Sequence, residues 1–279
     1  MTGAPALFDR ELAAFRFSRR RRDEPSILTR TIAEELAERL SLVNRRFERA
    51  LLIAAEPDPI AARLRESGQV KEVEPRAPSA GDDLGLAPAQ YDAIFSVLDL
   101  QSFNDVPGAL IQMRRALRPD GLLMACLFAG ETLSELRQSW LAAESTVTGG
   151  VTPRVAPMAD VRELGSLLQR AGLALPVADL DRTMVRYADA VALIHELREL
   201  GLSNILADRS RTPVTRQLLG AAVNHYHQHF ADPDGRIRAT VEIAWLTGWA
   251  PHESQQQPLK PGSARARLAD ALKVVEKKV

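Results

Sequence analysis

Positions 50–55 (ALLIAA) are apolar without interruption. A strand with no polar face belongs in the middle of a sheet that helices cover on both sides. Ahead of it, Ile27, Leu28, Ile32, Leu36 and Leu40 recur at helical spacing behind Ser26, which predicts an amphipathic helix. Behind it, Glu56-Pro57-Asp58-Pro59 halts the strand, and IAARLRES reads as a short helix ending at Gly68. Further strands are predicted over 70–74, 91–98, 121–128, 178–187 and 236–247. Between them, Asn104 or Asp105 caps one helix, and Thr132 with Glu135 and Asp160 with Glu163 form capping boxes for two more. Two later helices are predicted over 189–200 and 212–230, the second capped by Thr212 with Pro213 in its first turn. The stretch 75–90 holds three prolines and no apolar alternation, so it reads as loop, and the edge strand expected there is short or absent.

Strand and helix alternate, the signature of an α/β fold with a doubly wound, mostly parallel sheet. We divide one domain, 1–279, into an N-terminal helical arm (1–45), a sheet core (46–187 and 235–249), a helical insertion (188–234) and a C-terminal strap (250–279). The insertion is predicted to lie as a lid over the carboxyl edge, beside the strap at 250–262.

Composition narrows the function. Thirty-six basic residues balance thirty-six acidic ones, which argues against nucleic-acid binding through an overall positive field but leaves room for a local basic patch. The block Arg19–Arg22 is such a run, read first as a solvated turn. One cysteine, Cys126, excludes an internal disulfide and a cysteine-based zinc site. No apolar run approaches the ~20 residues of a membrane span. The opening residues lack the marks of a secretory or import signal, so the expected location is cytoplasmic.

Candidate chemistry lies where the strands end, since open α/β sheets bind ligands at their carboxyl edge. The first turn, Ala54-Ala55-Glu56-Pro57-Asp58-Pro59, has no glycine and carries two prolines that withdraw amide donors. That is evidence against a cradled phosphate. Glu74 ends the second strand, where a carboxylate commonly accepts from ribose hydroxyls; its plain alternative is a surface glutamate. The polar segment 99–105 offers Gln101, Asn104 and Asp105 at the substrate position, or Asn104 and Asp105 as helix caps alone. On a helix, His225 and His229 share a face and His227 does not, so the three cannot hold one metal ion.

Several stretches are more specific. YDAIFSVLDLQSFNDVPGALIQMRRALRPDGLLMACLF resembles the second half of a class I S-adenosylmethionine-dependent methyltransferase. FNDVPGAL, GGVTPRVAP, DVRELGSLLQRAG and above all GWAPHESQQQPLKPGSA resemble the complex I assembly-factor branch, which is related to the malonyl-carrier-protein methyltransferase of biotin synthesis. The likeness runs over about residues 7–272. It implies a seven-stranded, Rossmann-like sheet with the last strand antiparallel, S-adenosylmethionine at the carboxyl edge, and a protein substrate or complex I subunit as partner. In mitochondrial members it implies arginine hydroxylation. By position, the resemblance assigns the cofactor to Ala54, Ala55, Glu56, Glu74, Asp82 or Asp83, Ser96 and Val97, and substrate to Gln101, Asn104 and Asp105; it names no catalytic residue. Where the family has an acidic-Gly-x-Gly-x-Gly turn, this chain has AAEPDP, which predicts weak cofactor binding. Three readings follow: modification of a protein side chain in complex I assembly, an assembly chaperone of the same fold that has lost the cofactor, and methylation of a small molecule or carrier protein.

Overall fold

The structure, a computed structural model, describes residues 6–19 and 25–256. Helices α1 (Arg10–Ser18) and α2 (Ile27–Ser41) precede the sheet. Strands β1 (Phe47–Ala54), β2 (Val70–Arg76), β3 (Tyr91–Val97) and β4 (Leu117–Phe128) alternate with α3 (Pro57–Glu66) and α4 (Val106–Ala116). Then come α5 (Ser134–Thr148), α6 (Val161–Arg170), β5 (Ala174–Tyr187), α7 (Ala190–Glu199), α8 (Arg216–Phe230) and β6 (Ile237–Trp249).

The described strands form one six-stranded sheet in the order β2-β1-β3-β4-β6-β5. β1 pairs in parallel with β2 and β3, β3 with β4, and β6 runs antiparallel to both β4 and β5. The last strand is therefore antiparallel, as expected, but six strands stand where the resemblance implied seven. Residues 77–90 form no strand, which leaves β2 as an edge. Pro78 and Pro88 lack the amide donors a further strand would need.

The uninterrupted apolar runs become two cores. On one face Leu51, Ile53, Ile94, Leu123 and Ala125 meet α4 and α6. On the other, Leu52, Ala93, Phe95, Met124 and Cys126 meet Ile32, Leu36 and Leu40 of α2 and Ile60 and Leu64 of α3. Each fully buried Leu or Ile contributes about 1.5–3 kcal/mol, so the sheet centre carries much of the stability. A third cluster lies beyond the carboxyl edge, where Leu136 and Trp140 of α5 pack on Leu218, Ala222 and Tyr226 of α8.

Several local expectations are corrected. The cap of α8 is Thr215, whose Oγ accepts from the Leu218 amide, and the helix starts there rather than at Thr212. Thr132 and Glu135 form no capping box. Thr132 donates to the carbonyls of Ala129 and Glu242, and Glu135 accepts from the amide and hydroxyl of Thr240, because β6 packs directly over that turn. The helix after β1 begins at Pro57, so both prolines sit in its first turn, where the missing donors are harmless. The strap starts at the amino edge, with the Ala250 amide bonded to Gly121 and the Gln255 side chain to Asp120. Residues 250–256 are therefore at the opposite edge of the sheet from α7, because antiparallel β6 carries the chain back across it. Arg20–Arg22 and the strap from 257 onward lie outside the described residues.

Candidate functional site

The switch point of this sheet lies between β1 and β3, where crossovers depart to opposite faces, and the crevice outside their carboxyl ends is the place for a ligand. Ala54, Ala55, Glu56 and Val97 meet there, together with Phe17, Leu200 and Leu202, around a void of only about 20 Å³. Ligand pockets usually need ~300 Å³ or more. Phe17 is wedged hard into this place: a Cβ added to Gly201 would come within 2.9 Å of its ring. The Glu56 carboxylate is engaged by the chain itself. It accepts from the amide and hydroxyl of Ser26 and the hydroxyl of Thr29, which ties it to the start of α2. Its charge is thus held by donors at a helix N-terminus rather than left unpaired.

Arg10 of α1 packs against the segment after β3. Arg10 is 4% exposed, and its guanidinium lies 3.6 Å above the Phe103 ring. It donates to the Ser102 hydroxyl at 2.7 Å and the Ser79 carbonyl at 2.9 Å, and reaches Asp99 at 3.3 Å and Asp82 at 3.6 Å. Asp82 also accepts from the amides of Asn104 and Asp105. Asn104 clamps the backbone of Phe8 from both sides, donating to its carbonyl and accepting from its amide. Asp105 caps α4 through the Gly108 amide, and Asp83 accepts from Gly85 in a local turn. These residues therefore assemble one site whose occupant is the chain's own α1. Ser96 lies buried in β3 with its hydroxyl unpartnered among the described residues.

Glu74 stands apart. It sits opposite Leu51, two residues short of the end of β2, and accepts from Tyr91 at 3.0 Å, Arg49 at 2.9 Å and Arg76 at 3.1 Å. Burial pushes its carboxyl up, but the Tyr91 hydroxyl and the two guanidinium groups outweigh that and hold it below the usual range. The Glu74 carboxylate is thus engaged by protein donors, and α1 as placed packs against the first turn and the segment after β3.

A larger cavity of about 730 Å³ opens beside this crevice. Leu98, Asp99 and Gln101 after β3 meet Trp140 of α5, Leu197 of α7 and Phe15 of α1 on its wall. From the predicted insertion, α7 and the segment that follows it line this cavity, while α8 packs on α5. Asp99 is 2% exposed, and burial raises its carboxyl to about 6, against the pull of Arg10. Asp99 and Gln101 line this wall, and their Oδ2 and Oε1 atoms are closed to solvent with no hydrogen-bond partner among the described residues. The Gln101 amide is oriented by its own donation to the Leu98 carbonyl at 2.7 Å. Sequence reasoning gave the N-terminal helical arm no separate helix at Arg10–Ser18 and so missed Arg10. The signal was there, since Asp9 caps the helix just before the Arg10-Glu11 start. His225 and His229 stack at 4.1 Å, and no group of three or more His, Cys, Asp or Glu among the described residues could hold a metal ion.

This sheet order with one antiparallel strand is the methyltransferase type of α/β fold. A solved structure of a candidate methyltransferase from Bacillus halodurans superposes with a TM-score of 0.50 at 10% identity, covering 78% of this chain and 98% of that one. The family described as "Methyltransferase domain" matches residues 37–125. The chain is 36% identical over 184 residues to the arginine-hydroxylase NDUFAF5, mitochondrial, of Danio rerio, covering 66% of this chain and 57% of that protein. With the Homo sapiens protein of the same name the figures are 36%, 66% and 53%, so the chain spans about half the length of these relatives. It is 30% identical over 290 residues to the malonyl-[acyl-carrier protein] O-methyltransferase of Laribacter hongkongensis, covering 92% of each chain. The chain belongs to the S-adenosylmethionine-dependent methyltransferase superfamily, in the branch that holds these two kinds of protein. No described helix is long and apolar enough to cross a membrane.

Proposed function

We propose that this methyltransferase-family protein acts on a protein side chain in respiratory complex I assembly, and that the 730 Å³ cavity receives that side chain. The observation that carries this reading is the cavity itself, to whose wall Asp99 and Gln101 both contribute, with Asp99 Oδ2 and Gln101 Oε1 just behind its surface and unpartnered among the described residues. A buried acceptor left without a donor costs about 1–3 kcal/mol, and an entering side chain rich in N–H groups would relieve both by turning the Asp99 and Gln101 side chains toward the cavity. An arginine has five such donors in a planar fork, and relatives of this chain are named arginine-hydroxylases. Asp99 would hold the guanidinium by charge, and Gln101 would fix its orientation.

A second reading, an assembly chaperone of the same fold that works without the cofactor, is favoured by the closure of the first turn around Phe17 and Leu202. One experiment separates the two. The protein is incubated with an arginine-containing complex I subunit, with and without S-adenosylmethionine, and the subunit is weighed by mass spectrometry. A gain of one methyl group or one oxygen atom that requires the protein supports modification. Stable capture of the subunit with no mass change supports the chaperone. Neither capture nor mass change would remove the client reading altogether.

A further inference from the structure

A chain of zero formal charge concentrates positive charge in one place. Six arginines, Arg10, Arg16, Arg19, Arg154, Arg198 and Arg209, line the large cavity, and Asp99 is the one carboxylate on its wall among the described residues. Three of the six have their own acid: Arg10 has Asp99 at 3.3 Å, Arg154 has Glu144 at 2.7 Å, and Arg209 has Asp9 at 3.0 Å. Arg16 and Arg198 have no carboxylate within ion-pair reach among the described residues. Arg16 instead donates to the Asn204 carbonyl at 2.7 Å.

These groups arrive from three separate parts of the chain. Arg16 comes from α1, Arg198 from the last turn of α7, and Arg209 from the segment that follows. Burial first, and then the charges of Arg209 and Arg198, draw the Arg16 guanidinium below its ordinary affinity for protons, while Asp9 opposes them only in part. Like charges brought together in a half-buried place are unfavourable unless an anion joins them. Guanidinium groups converging on one cavity match a carboxylate in geometry as well as in sign.

We infer that Arg16, Arg198 and Arg209 form a carboxylate subsite at the cavity, so that the protein client presents an acidic side chain next to the side chain that enters toward Asp99 and Gln101. This rests on reading the cavity as the client site. The floor of the cavity then selects a donor and the arginines select an anion, which together define a substrate segment with an acid and a base close in sequence.

The test uses the full chain and two short fluorescent peptides, one carrying an arginine and a neighbouring glutamate, the other with glutamine in place of that glutamate. Anisotropy titrations are run on wild type, Arg198→Gln and Gln101→Ala. Arg198 is exposed on a helix end, so its replacement leaves the core untouched. The expected result is binding of the acidic peptide about tenfold tighter than its twin, a preference that falls to near one in Arg198→Gln. Equal binding of the two peptides to wild type, with both weakened in Gln101→Ala, would leave the client cavity standing and overturn the carboxylate subsite. A preserved acid preference that Gln101→Ala does not touch would keep the subsite and remove the floor reading. Binding of neither peptide would overturn both. Displacement of the acidic peptide by inorganic phosphate at far lower concentration than by acetate would assign the arginines to phosphate and overturn the carboxylate assignment.

Discussion

Arg10 and Asp99, 89 positions apart in sequence, meet at 3.3 Å in a place almost closed to solvent. The contact joins the first helix to the segment just after the third strand. Breaking such a pair from one side strands a buried charge, which costs about 3–5 kcal/mol. Arg10→Ala should therefore lower stability by about 3 kcal/mol or more in urea unfolding. Adding Asp99→Asn to it should cost less than the two single losses together, because the stranded carboxylate is gone. Strict additivity of the two would show that the pair is not coupled.

The raised carboxyl of Asp99 gives a pH signature. Its affinity for a proton is higher in the folded chain, about 6, than in the unfolded one, near 3.8. The folded state therefore binds more protons between those values, and the stability this group contributes is present below about pH 4 and lost as pH rises through 6. The shift bounds the loss at about 3 kcal/mol. Thermal melts of wild type and Asp99→Asn between pH 4 and 7 should show the wild type losing ground to the variant as pH rises. Parallel curves would remove Asp99 as the cause.

Cofactor affinity should depend on α1 rather than on Glu74. Phe17 occupies the first turn, so Phe17→Ala should strengthen S-adenosylmethionine binding by roughly tenfold over a weak wild type, whereas Glu74→Ala should leave it unchanged. Calorimetric titration reads both. A wild-type dissociation constant near ~1 µM or tighter would show that α1 yields to the cofactor.

Gly130 is a sharper structural case. It has φ +55°, and a Cβ built on it would overlap the Glu242 carboxylate, which is buried and accepts from the Glu131 amide at 2.8 Å. Gly130→Ala should cost about 2–4 kcal/mol, combining left-handed strain with a displaced buried acid. Denaturant unfolding with an unchanged slope and a lower midpoint is the expected result. A change within ~0.5 kcal/mol would mean that the Glu242 side chain moves aside at no cost.

The sequence by itself determined the sheet. Leu51, Leu52 and Ile53 must be buried on both faces wherever they go, and that requirement alone places β1 inside the sheet with helices on each side. The lost edge strand was equally legible, since Pro78 and Pro88 remove donors whatever surrounds them. Asp105 and Asp160 cap their helices as local spacing dictates, because a cap bond spans only two or three residues. Tertiary structure decided everything that depends on distant partners. Glu135 looked like half of a capping box until β6 brought Thr240 to it across 105 positions. Glu74 could be placed near the end of a strand from sequence, but its partners Arg49 on β1, Tyr91 on β3 and Arg76 on its own strand came only with the fold. The pairing of Arg10 with Asp99, and the convergence of Arg16, Arg198 and Arg209 on one cavity, have no local signal at all. Their charges interact only after folding has brought far separated segments within a few ångströms, at distances that periodicity and spacing do not encode.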